Sequence, residues 1–206
     1  WRAEAQKRIE AIRKGDFDIL VVNAQGQPVP NAEVKVEMTR HAFGWGSAMY
    51  EWTFVGEGED NRIYREKFLE LFNLLVPENG LKWPSWDQPK AQAATIRMID
   101  WARQNGCEVR GHTLVWPSFR RSPERLAALR GSPDKLREEI RKHIADVVTA
   151  NKGKIRAWDV MNEPTTNFEF MQLLGEAEPA EWFKQAHAID PSAQMFLNEN
   201  QILAGT

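Results

Sequence analysis

Glu163 closes the segment Ala157-Trp158-Asp159-Val160-Met161-Asn162-Glu163-Pro164, in which a short apolar run stops in an amide, a carboxylate and a proline. Val160-Met161 reads as the tail of a buried strand, and Pro164 cannot continue one. Asn162 and Glu163 are therefore expected where the strand leaves the core and meets solvent, the edge at which parallel α/β folds place chemistry. A glutamate half-enclosed there can have its pKa raised and act as a general acid near neutral pH. Similar polar clusters follow other apolar runs: Pro77-Glu78-Asn79-Gly80-Leu81-Lys82-Trp83, Gly111-His112-Thr113-Leu114-Val115-Trp116 and Asn198-Glu199-Asn200. Carboxylates, amides, Lys, His and Trp together suit a neutral polyhydroxylated ligand, which offers hydroxyls for hydrogen bonds and an apolar ring face for stacking. Tryptophan is in excess, nine against two Tyr. Trp45, Trp83, Trp86 and Trp116 each follow an apolar run and are expected as stacking platforms at strand ends, with core packing as the alternative.

The elements that must position these residues are legible as alternating units. A strand over Phe43 to Ala48 precedes a helix from about Asn61 to Phe72. Asn73 to Val76 is a second strand, closed by Pro77, and Ala91 to Arg103 a second helix. Val109 to Val115 is a third strand. Ser132-Pro133-Asp134 then starts a helix, with Ser as cap and Pro at the first position. Leu136, Ile140, Ile144 and Val147 fall on one face of it, the stripe of a helix packed on a sheet. Ile155 to Met161 is a fourth strand, Pro179 to Ile189 a helix, and Gln194 to Leu197 a fifth strand. Ahead of these units lies a segment of different character, residues 1–40. It holds a charged helix over Arg2 to Lys14 and two strands, Phe17 to Val22 and Val34 to Met38, joined by a turn-rich link, the second half exposed by its alternation and the pair expected to be antiparallel.

Strands alternating with helices imply a parallel sheet with right-handed crossovers. At roughly 33 residues per unit, eight units need about 260 residues, the size of a (β/α)8 barrel. The fold expected is thus an α/β (β/α)8 TIM barrel truncated after about five strands, over residues 41–206, with an N-terminal β appendage over residues 1–40. In such a barrel the strand ends converge on one rim. A doubly wound open sheet is the alternative, but no Gly-x-Gly-x-x-Gly follows any strand, so nucleotide binding gains no support. With 42% hydrophobic and 27% charged residues and a formal net charge of −2, nothing in the electrostatics favours nucleic acid or an anionic membrane. No apolar run approaches the roughly 18 residues of a membrane span. Cys107 is the only cysteine and the four histidines show no ligand spacing, so neither a metal nor another cofactor is expected. The chain starts at Trp1 without a signal peptide, which reads as an N-terminus made by processing or by design.

Three segments carry a resemblance to the endo-β-1,4-xylanases of glycoside hydrolase family 10: Phe72 to Trp83, Gly111 to Trp116, and Trp158 to Glu163, in the family's order and at plausible spacing. The opening helix and the Phe17–Met38 segment are similar to what precedes the barrel in plant-type members. The resemblance implies that Glu163 is the acid/base carboxylate and that Asn162 bonds the 2-hydroxyl of the reacting sugar. It implies that His112 and Trp116 line that same subsite, and that Glu78, Asn79 and Lys82 hold the next sugar on the non-reducing side. It further implies secretion or a periplasmic location, and xylan or xylo-oligosaccharides as partner. Pro117 stands where many members carry His, Gly80 where Glu is common, and Asn200 where Tyr is frequent.

Retaining glycosidases use two carboxyl groups roughly 5–5.5 Å apart. The family's nucleophile follows a seventh strand, so this chain alone is expected to be inactive, and Glu199 matches a different position. Hydrolase function in an intact protein competes with a non-catalytic carbohydrate-binding remnant and with a related barrel β-glycosidase of different sugar preference. Bland readings stay open beside the functional ones: Glu163 as a surface or capping carboxylate, His112 as a core histidine, Glu78 and Lys82 as an ion pair, Trp116 as core packing. Asp159, facing opposite to its neighbours, reads as a structural hydrogen-bond partner. The open barrel edge predicts self-association or aggregation.

Overall fold

The computed structural model describes residues 1–202. The chain divides into two units, Trp1–Thr39 and Arg40–Thr206.

In the first unit, helix α1 (Arg2–Arg13) buries no residue. The turn-rich link is well formed: Asn23 Oδ1 accepts the N–H groups of Gln25 (3.0 Å) and Gln27 (2.9 Å). The two strands expected at Phe17 to Val22 and Val34 to Met38 are not formed. A single antiparallel bridge, Val22 to Pro28, is all that pairs there. The physical reason is the lack of a covering layer within the unit. Leu20 is 73% exposed and Met38 75%, and a two-stranded ribbon without a hydrophobic face to bury is marginal in water. The expected β appendage is thus a helix followed by irregular chain.

The second unit is a run of parallel strands in sequence order: β1 (Gly46–Met49), β2 (Leu74–Pro77), β3 (Glu108–Val115), β4 (Ala157–Asn162) and β5 (Gln194–Asn198). Each pairs with its successor in parallel, Gly46 opposite Leu74, Leu74 opposite Glu108, Arg110 opposite Ala157, and Ala157 opposite Gln194. Helices α2 (Glu51–Val55) and α3 (Glu59–Leu71) follow β1, and α4 (Trp83–Trp86) and α5 (Pro89–Gln104) follow β2. Helix α6 (Pro133–Ala150) follows β3, and α7 (Glu169–Leu174) and α8 (Glu178–Ile189) follow β4. The main elements lie within two or three residues of their sequence-derived bounds, whereas α2, α4 and α7 have no counterpart in the sequence reading. The stripe Leu136, Ile140, Ile144 and Val147 is fully buried, each side chain contributing about 1.5–3 kcal/mol of transfer free energy. Ser132 precedes α6 as expected, but its side chain makes no capping bond. Its carbonyl instead accepts the Leu136 N–H, and Asp134 pairs with Arg137 in the first turn, where a carboxylate complements the helix dipole.

Strand β4 is buried along its whole length and β5, at the sheet's edge, is half exposed. Register shifts interrupt the pairing between His112 and Val115 on β3 and between Asp159 and Met161 on β4. Such irregularities re-aim side chains, and here they fall at the strand ends that carry the polar clusters. No helix is long and apolar enough to cross a membrane among the described residues.

Candidate active site

Glu163 leaves β4 in a left-handed conformation, φ 51°, which a non-glycine residue adopts only when its surroundings hold it there. They do so from two sides. Its N–H donates to the Asn198 carbonyl at the end of β5 (2.7 Å), and its carbonyl accepts the N–H of Asn167 (3.0 Å) from the turn behind Pro164. The residue is half-buried.

Asn162, the last residue of β4, is 1% exposed. Its Oδ1 accepts a hydrogen bond from Asn198 Nδ2 at 2.7 Å, which fixes the amide and leaves Nδ2 as the donor end. That Nδ2 is buried and has no partner. A buried donor without an acceptor is costly, on the order of 1–3 kcal/mol, and a donor fixed beside a carboxylate at a strand end is the arrangement a hydroxyl ligand completes.

Asp159, 2% exposed, organises β3 from below. Its Oδ1 receives Arg110 through Nη2 (2.5 Å) and Nε (3.1 Å), and its Oδ2 lies 2.9 Å from His112 Nδ1. Burial pushes this carboxyl upward, but the hydrogen bonds from His112 and Arg110 outweigh it and hold the pKa below its ordinary value. An ionised Asp159 only accepts, so His112 Nδ1 carries the hydrogen and Nε2 is left for a ligand. Asp159 is thus a hydrogen-bond partner, as its position on the strand suggested. Trp116 is half-buried, with Arg121 4.2 Å and Lys82 5.7 Å from its ring centroid, and its Nε1 is buried without a partner.

Beyond β2, Glu78 donates its N–H to the Met49 carbonyl at the end of β1 (3.0 Å). Lys82 Nζ donates to Asn79 Oδ1 at 2.8 Å. The ion pair with Glu78 that sequence left open is not present; Lys82 uses the amide instead. Burial lowers the Lys82 pKa and the Arg121 charge adds to this, opposed by Glu78, Glu51 and Glu163. Lys82 therefore sits in the field of carboxylates from three strand ends, so β1, β2 and β4 share one electrostatic site with it. Gly80 has a steric cause: a Cβ there would lie 1.8 Å from Thr95 Oγ1 on α5, which leaves no space for the Glu that the resemblance leads one to expect.

Two stacking platforms are corrected to core. Trp83 is 4% and Trp86 2% exposed. Trp83 stacks on His143 of α6 at 4.2 Å, and Trp86 Nε1 donates to Asp146 Oδ2 at 2.6 Å. Trp45 is exposed but precedes β1, at the opposite end of the sheet from Glu163. Glu199 is occupied: its Oε2 accepts Thr165 Oγ1 (2.6 Å) and N–H (3.1 Å), and its Oε1 accepts the Gln201 N–H.

Three residues that sequence reasoning missed belong to this region. Arg121 covers the Trp116 ring. Glu169 ties the two loops together, accepting Ser118 Oγ (2.8 Å), the Phe119 N–H (3.0 Å) and Arg130 (3.0 Å). A groove of ≈ 660 Å³ runs between those loops past Arg120 and Phe168. The third is Glu51, two residues past β1 and the first residue of α2, a helix the sequence reading took as loop.

Five parallel strands in sequential order with helices between them, and polar side chains gathered at their carboxyl ends, define five consecutive units of a TIM-barrel glycoside hydrolase domain. The chain belongs to glycosyl hydrolase family 10, whose model matches residues 35–204. It is 33% identical over 204 residues to the anti-sigma-I factor RsgI6 of Acetivibrio thermocellus, covering 97% of this chain and 26% of that protein. It is 29% identical over 202 residues to endo-1,4-beta-xylanase 5 of Arabidopsis thaliana, covering 97% of this chain and 34% of that one. Among solved structures it is similar to xylanase 10B from Thermotoga petrophila in complex with xylobiose, with a TM-score of 0.67 and 25% identity over 75% of this chain and 49% of that one. The chain therefore spans about a quarter to a third of these two curated relatives and about half of that solved structure.

Proposed function

We propose that this chain supplies the acid/base half of an endo-acting, retaining β-1,4-xylanase. The observation that carries the reading is the pairing of Glu163 with the fixed, unpartnered Nδ2 of Asn162, inside a family 10 chain. Asn162 donates to the 2-hydroxyl of the reacting sugar, and such a bond strengthens as positive charge develops on the ring. Glu163 gives its proton to the glycosidic oxygen as the C–O bond breaks, and the sugar's anomeric carbon is taken by a nucleophilic carboxylate. Glu163 then removes a proton from the water that releases the sugar. His112 and Trp116 line that subsite, and Glu78, Asn79 and Lys82 hold the neighbouring sugar. Glu199 is spent on Thr165 and Gln201, and the family resemblance implies a nucleophile that follows a seventh strand, so these five units by themselves are proposed to be inactive on xylan. Initial rates of the full-length protein on xylan, cellulose and mannan test the substrate class. Xylan as the fastest of the three supports the reading; xylan as the slowest overturns it.

A second reading, a polysaccharide-binding domain without hydrolysis, has one observation in its favour. A relative matching 97% of this chain is named an anti-sigma factor. Xylo-oligosaccharide binding by the full-length protein with no product released over prolonged incubation would select it.

A further inference from the structure

Four carboxylates are buried among the described residues, Glu51, Asp159, Glu178 and Asp190, and three have an evident reason to be there. Asp159 meets Arg110 and His112. Glu178 meets Arg137 Nε at 2.7 Å. Asp190 accepts from Gly153 N–H and from both N–H and Oγ of Ser192. Glu51, 2% exposed, has no hydrogen bond or ion pair among the described residues, and its Oε2 is buried with no partner. A buried carboxyl oxygen without a hydrogen-bond donor is costly to a fold, and a group left so at a strand end is a candidate for function.

Its place points the same way. Glu51 lies two residues beyond Met49, whose carbonyl receives the Glu78 N–H, so the end of β1 is stitched to the loop carrying Glu78, Asn79 and Lys82. Lys82 in turn feels both Glu51 and Glu163. Three buried unpartnered atoms thus stand at strand ends on one face: Glu51 Oε2 after β1, Trp116 Nε1 after β3 and Asn162 Nδ2 at the end of β4. We infer that Glu51 is a further sugar-binding residue, hydrogen-bonding through its carboxyl group to a hydroxyl of the saccharide unit that the Glu78–Lys82 loop holds. The inference rests on the xylan-cleft reading and extends it to the first strand. A hydroxyl brings its own donor to an atom that otherwise has none, and a site built this way discriminates against a ligand that lacks the hydroxyl.

The test compares wild type and Glu51→Gln in the full-length protein, with KM and kcat on xylohexaose and the thermal midpoint without ligand. The expected result is a KM raised about tenfold or more, a kcat within about threefold of wild type as for uniform binding, and a midpoint unchanged or raised because an unmatched buried carboxyl has gone. A lowered midpoint with unchanged KM, or failure of the variant to fold, shows a structural partner for Glu51 elsewhere in the protein and overturns the inference. An unchanged KM with an unchanged midpoint overturns it equally. If wild type itself neither binds nor cleaves xylohexaose, the xylanase reading fails. The same comparison on whichever β-1,4-oligosaccharide wild type does accept then decides the role of Glu51 separately.

Discussion

Acidification should destabilise this protein through one histidine before its carboxylates begin to titrate. His143 lies on α6 with its ring stacked on Trp83, 7° between planes, and only 5% of the residue exposed. Its Nε2 lies 3.0 Å from the Leu114 carbonyl of β3, and since a carbonyl only accepts, Nε2 carries the hydrogen. The neutral ring therefore braces two parts of the site, the strand that bears His112 and leads to Trp116, and the turn bearing Lys82. Burial, with the charge of Arg125, lowers its pKa from 6.5 to about 3, against the bond to Leu114, which raises it. Above pH 6.5 the ring is neutral in both folded and unfolded chains. Below that value the unfolded chain binds a proton that the folded chain refuses, so stability falls as pH falls from about 6.5 toward about 3. Each pH unit costs about 1.4 kcal/mol, so about 2 kcal/mol is lost by roughly pH 5 and on the order of 5 kcal/mol over the whole window. Urea unfolding followed by tryptophan fluorescence between about pH 7 and about pH 5 measures this. His143→Gln keeps a planar amide and a donor for Leu114 but cannot take up the proton, so its stability should stay flat over that range. Asp159, Glu169 and Asp190, whose folded pKa values are lowered, lose stability only as pH falls into the carboxylate range, in wild type and variant alike. Parallel stability curves for the two proteins would refute the reasoning.

Other expectations follow from single contacts. Asp159→Ala strands Arg110 and His112 over a buried gap and should cost about 3–5 kcal/mol in urea unfolding; a loss below about 1 kcal/mol would show that the cluster is not what holds β3 to β4. Gly80→Ala places a methyl against Thr95 Oγ1 and should destabilise by about 1–3 kcal/mol. Adding Thr95→Ala should recover part of that, whereas additive losses would place the strain elsewhere. Trp116→Ala should weaken xylo-oligosaccharide binding by about tenfold or more in calorimetry, in line with a partly exposed aromatic stacking site, while an unchanged Kd would return Trp116 to core packing.

The barrel units were legible because each is a local pattern: a buried strand, then a helix whose stripe meets it, as Leu136, Ile140, Ile144 and Val147 do. The rim was legible for a related reason, since strand ends can be counted even when their neighbours in space cannot. What failed depends on partners distant in sequence. Trp86 and Trp116 both follow an apolar run, yet only Trp86 meets Asp146 on a helix sixty residues away. The alternation from Val34 to Met38 says that one face wants burial without saying what would bury it. Glu51 opens α2, a helix too short to show a periodic pattern. Gly80 read as a departure from the family until the position of Thr95 supplied its cause.

The central claim is that Glu163 donates and recovers the proton in glycosidic bond cleavage. Glu163→Gln in the full-length protein isolates it, assayed on xylan and on an aryl xylobioside whose phenolate leaves without protonation. Hydrolysis of xylan should fall by at least about 10²-fold, while the aryl substrate still gives a first-turnover burst of phenolate followed by slow release of the sugar. Xylan hydrolysis within about threefold of wild type, or loss of the burst together with xylan hydrolysis, would contradict the assignment.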